Sequence, residues 1–380
     1  MRLIARCVHG LEWLCAAELS EALPDAVVSV LDRRTVLFSV PVLSSAVLAL
    51  RTADDIFAEA GQIDGVGPTK GALPAVARRL RRLPWDRVEE AIRAIRPVVD
   101  MPLIDVVASL DGRRSYNRFA VEQLAGEVVS DQLGGRYLRR TADGREPGEP
   151  DLTIRLFLHA DQLLAGVRLG VSPAHRRPYK QDTGPGTLHP PAAAALALLA
   201  SPEPDSLVLD PFCGDGTVMI ETGLAFPAVR LQGSDVDRSR VASTLRNAAR
   251  AGVALAADCA DAGSLSGRRA EAIVTNPPWN LTVDALGSLS GSLLPFWQRL
   301  PSLLSSGGRL VVLANAELAV PDTLRSMGFG ISLAAGVRLA GRLCHVVLAG
   351  PERSLPAIPA AAQPWRRRAL RSGLLTSTGF

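Results

Sequence analysis

Lysine is almost missing from this chain: Lys70 and Lys180 stand against 40 arginines. A ratio that lopsided reads as codon bias. The number of arginines therefore says little, and their placement must carry any argument about charge. Cysteine is scarce too. Cys7, Cys15, Cys213, Cys259 and Cys344 are scattered without a C-x-x-C pair, which argues against a disulfide framework and against a thiolate zinc site. The five histidines show no metal spacing, and no metal is expected. No run of about 18 apolar residues occurs, so no membrane span is expected. His9, Glu12, Glu18 and Glu21 interrupt the first 23 residues, which argues against a secretory leader and for a cytoplasmic protein. What is present is enough apolar matter for sizeable cores: 47% hydrophobic and 21% charged over 380 residues, a length that predicts two or three domains.

Residues 2–7 alternate like a strand, and 10–22 place apolar side chains at helical spacing. Segments 26–31 and 35–40 are β-rich around the turn Asp32-Arg33-Arg34; 41–50 reads as a helix and 54–61 as a short strand. The order β-α-β-β-α-β predicts a ferredoxin-like domain over 1–64. From Lys70 to Phe119 eleven basic residues face six acidic ones, in a chain otherwise close to neutral. Helices at 71–83, 87–96 and 120–133, strands at 103–109, 152–158 and 163–169, and a loop at 140–150 make a second α+β unit over 65–172. The stretch 173–190, with His175-Arg176-Arg177-Pro178-Tyr179-Lys180 and GPGTLHPP, reads as a linker. Strands and helices then alternate over 191–350, the pattern of a mostly parallel sheet covered by helices. Residues 351–380 carry Pro, Ser and Arg with little pattern, and are expected to form a mobile tail.

The strongest local signal is the run Leu207-Val-Leu-Asp210-Pro211-Phe-Cys213-Gly214-Asp-Gly216-Thr217. An apolar strand enters a glycine turn and leaves as a helix. Glycine permits close backbone approach, and the helix start offers free N–H groups to a polar ligand. Asp235, followed by Val236, ends the next apolar strand, where a carboxylate can accept both hydroxyls of a ribose. Asp258, followed by Cys259, ends a further short apolar segment, within reach of an adenine amine. One such aspartate is as readily a helix cap; three after successive strands point to a nucleoside-like ligand.

The strand Glu271–Thr275 then ends in Asn276-Pro277-Pro278-Trp279. Two prolines remove two backbone donors and stiffen the turn. The Asn276 side-chain oxygen and the Pro277 carbonyl can both accept from an amine conjugated to a base. That favours a pyramidal nitrogen with its lone pair free, while Trp279 offers a face for stacking. The gain is one of positioning.

Together these residues resemble the class I amino-methyltransferases: DPFCGDGT is similar to their cofactor loop and NPPW to their Asn-Pro-Pro-aromatic motif. The resemblance implies a Rossmann-like α/β domain with a mostly parallel seven-stranded sheet, and S-adenosyl-L-methionine as cofactor. Residues 111–170 resemble a THUMP domain, an RNA-binding module. With the ferredoxin-like start and RRPY…PGTLHPPAAAALALLA, the layout is similar to that of THUMP-containing tRNA guanine-N2 methyltransferases. This implies tRNA as partner, gripped at its acceptor end. Phosphate contacts are expected from Arg113, Arg114, Arg118, Arg176, Arg177 and Lys180. In place of Asn280 that family usually has glycine.

The motif pair alone leaves adenine, cytosine, guanine and glutamine amines open as targets. A DNA adenine or protein glutamine methyltransferase shares the tetrad, and a non-catalytic RNA-binding protein could retain the fold. A nicotinamide dehydrogenase would need a third spaced glycine, and a 5-carbon cytosine methyltransferase a cysteine beside its base pocket.

Overall fold

A computed structural model describes residues 1–139, 149–267, 269–279 and 284–375. The loop expected at 140–150 falls outside these up to residue 148, as does Asn280. The first half runs β1 (Arg2–Cys7), α1 (Glu12–Ala22), β2 (Val27–Asp32), β3 (Thr35–Ser39), β4 (Ala53–Ile63), α2 (Leu73–Leu80), α3 (Trp85–Ile95), β5 (Leu103–Leu110), α4 (Arg118–Gln132), β6 (Arg136–Tyr137), β7 (Leu152–His159) and β8 (Gln162–Arg168). Its strands form one sheet in the order β2-β3-β1-β4-β8-β7-β5-β6. β4 pairs antiparallel with both β1 and β8, so the sheet continues across the boundary expected near residue 64. Two expectations shift. β4 is not a short strand but an 11-residue one, because a partner on each side buries it. The helix expected at 41–50 shrinks to a 3-10 turn at Ser45–Ala49, because Ser44 just before it is extended.

The second half runs α5 (Pro190–Ala200), β9 (Leu207–Asp210), α6 (Thr217–Ala225), β10 (Arg230–Asp235), α7 (Arg238–Ala251), β11 (Ala256–Cys259), β12 (Ala270–Thr275), α8 (Leu294–Leu303), β13 (Leu304–Asn315), α9 (Val320–Ser326), β14 (Phe329–Leu339), β15 (Arg342–Pro351) and α10 (Gln363–Arg371). The sheet order is β11-β10-β9-β12-β13-β15-β14. The first five strands are parallel, which requires crossover connections; β15 runs antiparallel to β13 and β14. The α/β architecture is the one anticipated.

Ten of the 11 residues of α5 are buried. A helix apolar all round must be covered on every side, and α5 lies between α1, α6 and strands β12 and β13. One apolar core thus runs from Leu3 and Trp13 through Leu196 to Val311. The tail expectation needs correction. Within 351–375, α10 packs on α1, Ala362, Ala369 and Leu375 are buried, and Arg368 Nη2 donates to the Ser29 carbonyl of edge strand β2 at 2.6 Å. The docking face is Ala362, Ala369 and Leu375 with Ile358, Trp365, Leu370 and Leu374 beside them, apolar residues interrupted by arginines and without a continuous hydrophobic run.

Candidate active site

Parallel pairing sets Asp210 of β9 beside Gly233 of β10. Asp210 and Asp235 therefore emerge at the carboxyl edge of the sheet, where open α/β sheets hold their ligands. The turn between β9 and α6 needs its glycines: Gly214 has φ +53° and Gly216 φ +84°. A Cβ on Gly216 would also stand 3.0 Å from the Thr244 methyl, so α7 packs closely here against glycine. The Gly214 N–H donates to Asp235 Oδ2 at 3.0 Å, and the Asp237 N–H to Oδ1 at 3.0 Å. Loop and carboxylate hold each other in place. Asp210 is fully buried and accepts from Thr275 Oγ1 at 2.6 Å and from the Phe212 N–H at 3.0 Å. Burial pushes its carboxyl up to about 7. Asp235 is raised for the same reason. Burial also raises the Cys213 thiol, which keeps it protonated and unsuited to nucleophilic work.

A cavity of about 890 Å³ opens along this edge. Pro211, Cys213, Gly214, Thr217, Asp235 and Val236 line one part of it, and Asn276, Pro277, Pro278 and Trp279 another. Gly216 lies behind the wall, shaping the turn. Thr217 Oγ1, Asn276 Oδ1 and Trp279 Nε1 are buried with no hydrogen-bond partner among the described residues. An unpaired buried polar atom costs about 1–3 kcal/mol. That three residues carrying such atoms line one cavity marks a place shaped for a ligand. The turn after β12 sets two of the three, because the prolines stiffen it and offer no N–H to Asn276 Oδ1.

Besides Gly216, two expected ligand residues are not in the cavity wall. β11 runs to Cys259, paired with Asp235, so Asp258 lies within the strand. It is exposed, with Gln232 Nε2 at 3.5 Å, and Cys259 is exposed beside it. In place of Asp258 the cavity is lined by Asp261, followed by Ala262, just past the strand end. β11 is an edge strand with mostly exposed side chains, so hydrophobicity marked its end too early. A second omission is larger. Val8, His9, Arg33 and Arg34 of the N-terminal half also line the cavity, as do Leu339 to Arg342 of the β14–β15 hairpin. Their only sequence signal was the turn Asp32-Arg33-Arg34.

The six basic residues divide. Arg113, Arg118 and Arg176 are exposed. Arg114 instead donates to the Val66 and Ala160 carbonyls and to Tyr116 Oη. Arg177 pairs with the buried Glu221 at 3.0 Å. Lys180 donates to the Leu188 carbonyl, and burial lowers its ammonium to about 8. These three side chains are committed inside the protein, because polar groups this deep need partners. Among the described residues no group of three metal-ligating side chains occurs, and no helix is long and apolar enough to cross a membrane.

Known proteins similar to this chain include tRNA methyltransferases. Over 265 residues the chain is 23% identical to a tRNA (guanine(6)-N2)-methyltransferase of Archaeoglobus fulgidus, covering 62% of this chain and 67% of the relative. Over 238 residues it is 29% identical to a tRNA (guanine(10)-N2)-dimethyltransferase of Methanothermobacter thermautotrophicus, covering 60% and 67%. The crystal structure of TrmN from Thermus thermophilus superposes with a TM-score of 0.72 at 24% identity, covering 92% of this chain and 99% of that one; the shared fold thus includes the N-terminal half. Residues 177–342, which hold the glycine turn, both strand-end aspartates and the Asn276–Trp279 turn, match the family of RMKL-like methyltransferase domains, UPF0020.

Proposed function

We propose that the protein uses S-adenosyl-L-methionine to form N2-methylguanosine in tRNA, near the acceptor end and in the cytoplasm. The observation that carries this reading is the cavity wall itself. Asn276, whose Oδ1 is buried without a partner, lines the same cavity as the Gly214 turn and Asp235. The names of the relatives supply the choice of tRNA guanine among exocyclic amines.

When bound, S-adenosyl-L-methionine supplies an electrophilic methyl group. Asp235 would hold its ribose hydroxyls, Val236 and Ala262 would pack on its adenine, and the Thr217 hydroxyl would gain the partner it lacks. Asn276 Oδ1 and the Pro277 carbonyl accept the two N–H bonds of the guanine amine. The nitrogen is thereby held with its lone pair directed away from the ring. Trp279 stacks on the base and fixes its plane. No strong base is needed, because a methylated aromatic amine loses its extra proton readily to water. The two prolines stiffen the turn before substrate arrives, so catalysis draws on preorganised acceptors. The exposed Arg113, Arg118 and Arg176 contact RNA phosphates, in what the sequence likens to a THUMP module.

The test is direct. Full-length protein, unmodified tRNA and tritiated cofactor should yield labelled N2-methylguanosine on nucleoside digestion. Label in adenosine, in cytidine or in protein would sink the assignment.

A further inference from the structure

The outer wall of the cavity does not belong to the methyltransferase domain alone. The loop after β1 docks directly on the last hairpin: the Arg338 N–H donates to the His9 carbonyl at 3.0 Å. Gly10 makes this approach with φ +96°, and a Cβ there would stand 2.3 Å from the Gly336 carbonyl oxygen. Contact so close is available to glycine alone. The β2–β3 turn follows into the same wall through Arg33 and Arg34. Arg34 is held by Asp54 at 3.2 Å and by the Cys7 carbonyl at 3.3 Å.

Three guanidinium groups remain available around this mouth. Arg33 has an exposed contact of 3.4 Å with Asp111, both side chains more than half exposed. A pair of that kind is weak and easily exchanged. Arg338 and Arg342 flank the hairpin tip, are exposed, and form no ion pair among the described residues. Arg33, Arg338 and Arg342 are exposed and line the same cavity as the Asn276–Trp279 turn, so they stand where the cavity meets solvent. A base turned out of its stack brings its own phosphates to the rim of the pocket it enters. Guanidinium groups suit phosphate because they bind it in bidentate fashion.

We infer that Arg33, Arg338 and Arg342 form a clamp for the phosphates on either side of the extruded nucleotide. The N-terminal half then acts inside the active site as well as at a distance from it. The inference rests on the proposed RNA substrate, and two readouts keep the two apart. The triple variant Arg33→Ala, Arg338→Ala, Arg342→Ala should retain its affinity for S-adenosylhomocysteine in calorimetric titration, which also reports folding. Its KM for tRNA should rise about tenfold or more. The slope of log affinity against log salt should become shallower by about 2, as three lost phosphate contacts require. Replacing the three by lysine should recover the salt slope and only part of the KM. If wild type forms N2-methylguanosine while the alanine variant keeps KM and slope, the clamp is wrong and the substrate stands. If wild type labels another RNA nucleoside while the variant shows the raised KM, the guanine assignment falls and the clamp stands. Label in DNA or protein alone overturns both.

Discussion

Asn276 carries opposite demands of folding and function. Its Oδ1 is buried without a partner, which costs stability in the free protein. Asn276→Ala removes that atom, so denaturant unfolding should show unchanged or higher stability, by up to about 1 kcal/mol. Turnover should fall by about a hundredfold or more, as when a positioned transition-state partner is lost. A variant that methylates RNA at the wild-type rate would refute amine positioning by this side chain. Asp210 gives a pH signature. Its carboxyl is held at about 7 by burial, above its ordinary value near 4. The folded ligand-free protein therefore binds a proton that the unfolded chain releases. This contribution is full below about 4 and is lost as pH rises through about 7, at most about 4 kcal/mol. Asp210→Asn should remove it. The stability difference between variant and wild type should grow in the variant's favour from pH 5 to 8; a constant difference would mean that Asp210 ionises normally.

At the scale of elements, the cofactor helix is tied to the N-terminal half and the linker through one buried carboxylate. Glu221 of α6 accepts from Arg51 at 2.7 Å, from Arg177 at 3.0 Å and from Tyr179 at 2.8 Å. Arg51 lies just before β4 and Arg177 in the linker, so three parts of the chain meet at this group. Glu221→Ala leaves two guanidinium groups without their counter-charge. The expected loss is about 3–5 kcal/mol in urea unfolding. A loss under about 1 kcal/mol would show the cluster to be well hydrated and dispensable. Strands and helices were legible in sequence where periodicity is strong. The 3-10 turn at Ser45–Ala49, the full length of β4 and the docked α10 were not, because neighbours distant in sequence decide them.

For the whole molecule, the two halves share a core and a cavity wall. Leu14 of α1, Leu196 of α5 and Ala369 of α10 lie in the same apolar cluster. A fragment of residues 182–350 would lose α1, α10 and the partners of Glu221, and it would expose one face of α5. We expect it to bind a hydrophobic dye and to sediment as aggregates, where the full chain does neither. A soluble fragment of undiminished thermal stability would show the halves to be independent. The consequence for function is that removing the N-terminal half cannot isolate its contribution to tRNA binding; point substitutions at its surface can.

What the amino-acid sequence determined by itself was local. Glycines at 214 and 216, the carboxylates ending two strands and the Asn276–Trp279 turn announce a cofactor loop and an amine pocket, because turn chemistry depends on residues adjacent in the chain. The alternation of strand and helix beyond residue 190 likewise dictated the layered sheet. Tertiary structure decided which polar groups are spent and which are free. Arg113 and Arg114 are neighbours in sequence, yet one is exposed and the other holds the Val66 and Ala160 carbonyls. Asp258 and Asp261 are both aspartates three positions apart, yet the length of an exposed edge strand leaves Asp261 lining the cavity. The arginines of the N-terminal half reach the cavity because β1 and the last hairpin meet, some 330 residues apart, at Gly10 and Gly336. Partner choice over such distances follows from the packing of complete elements, and no local pattern records it.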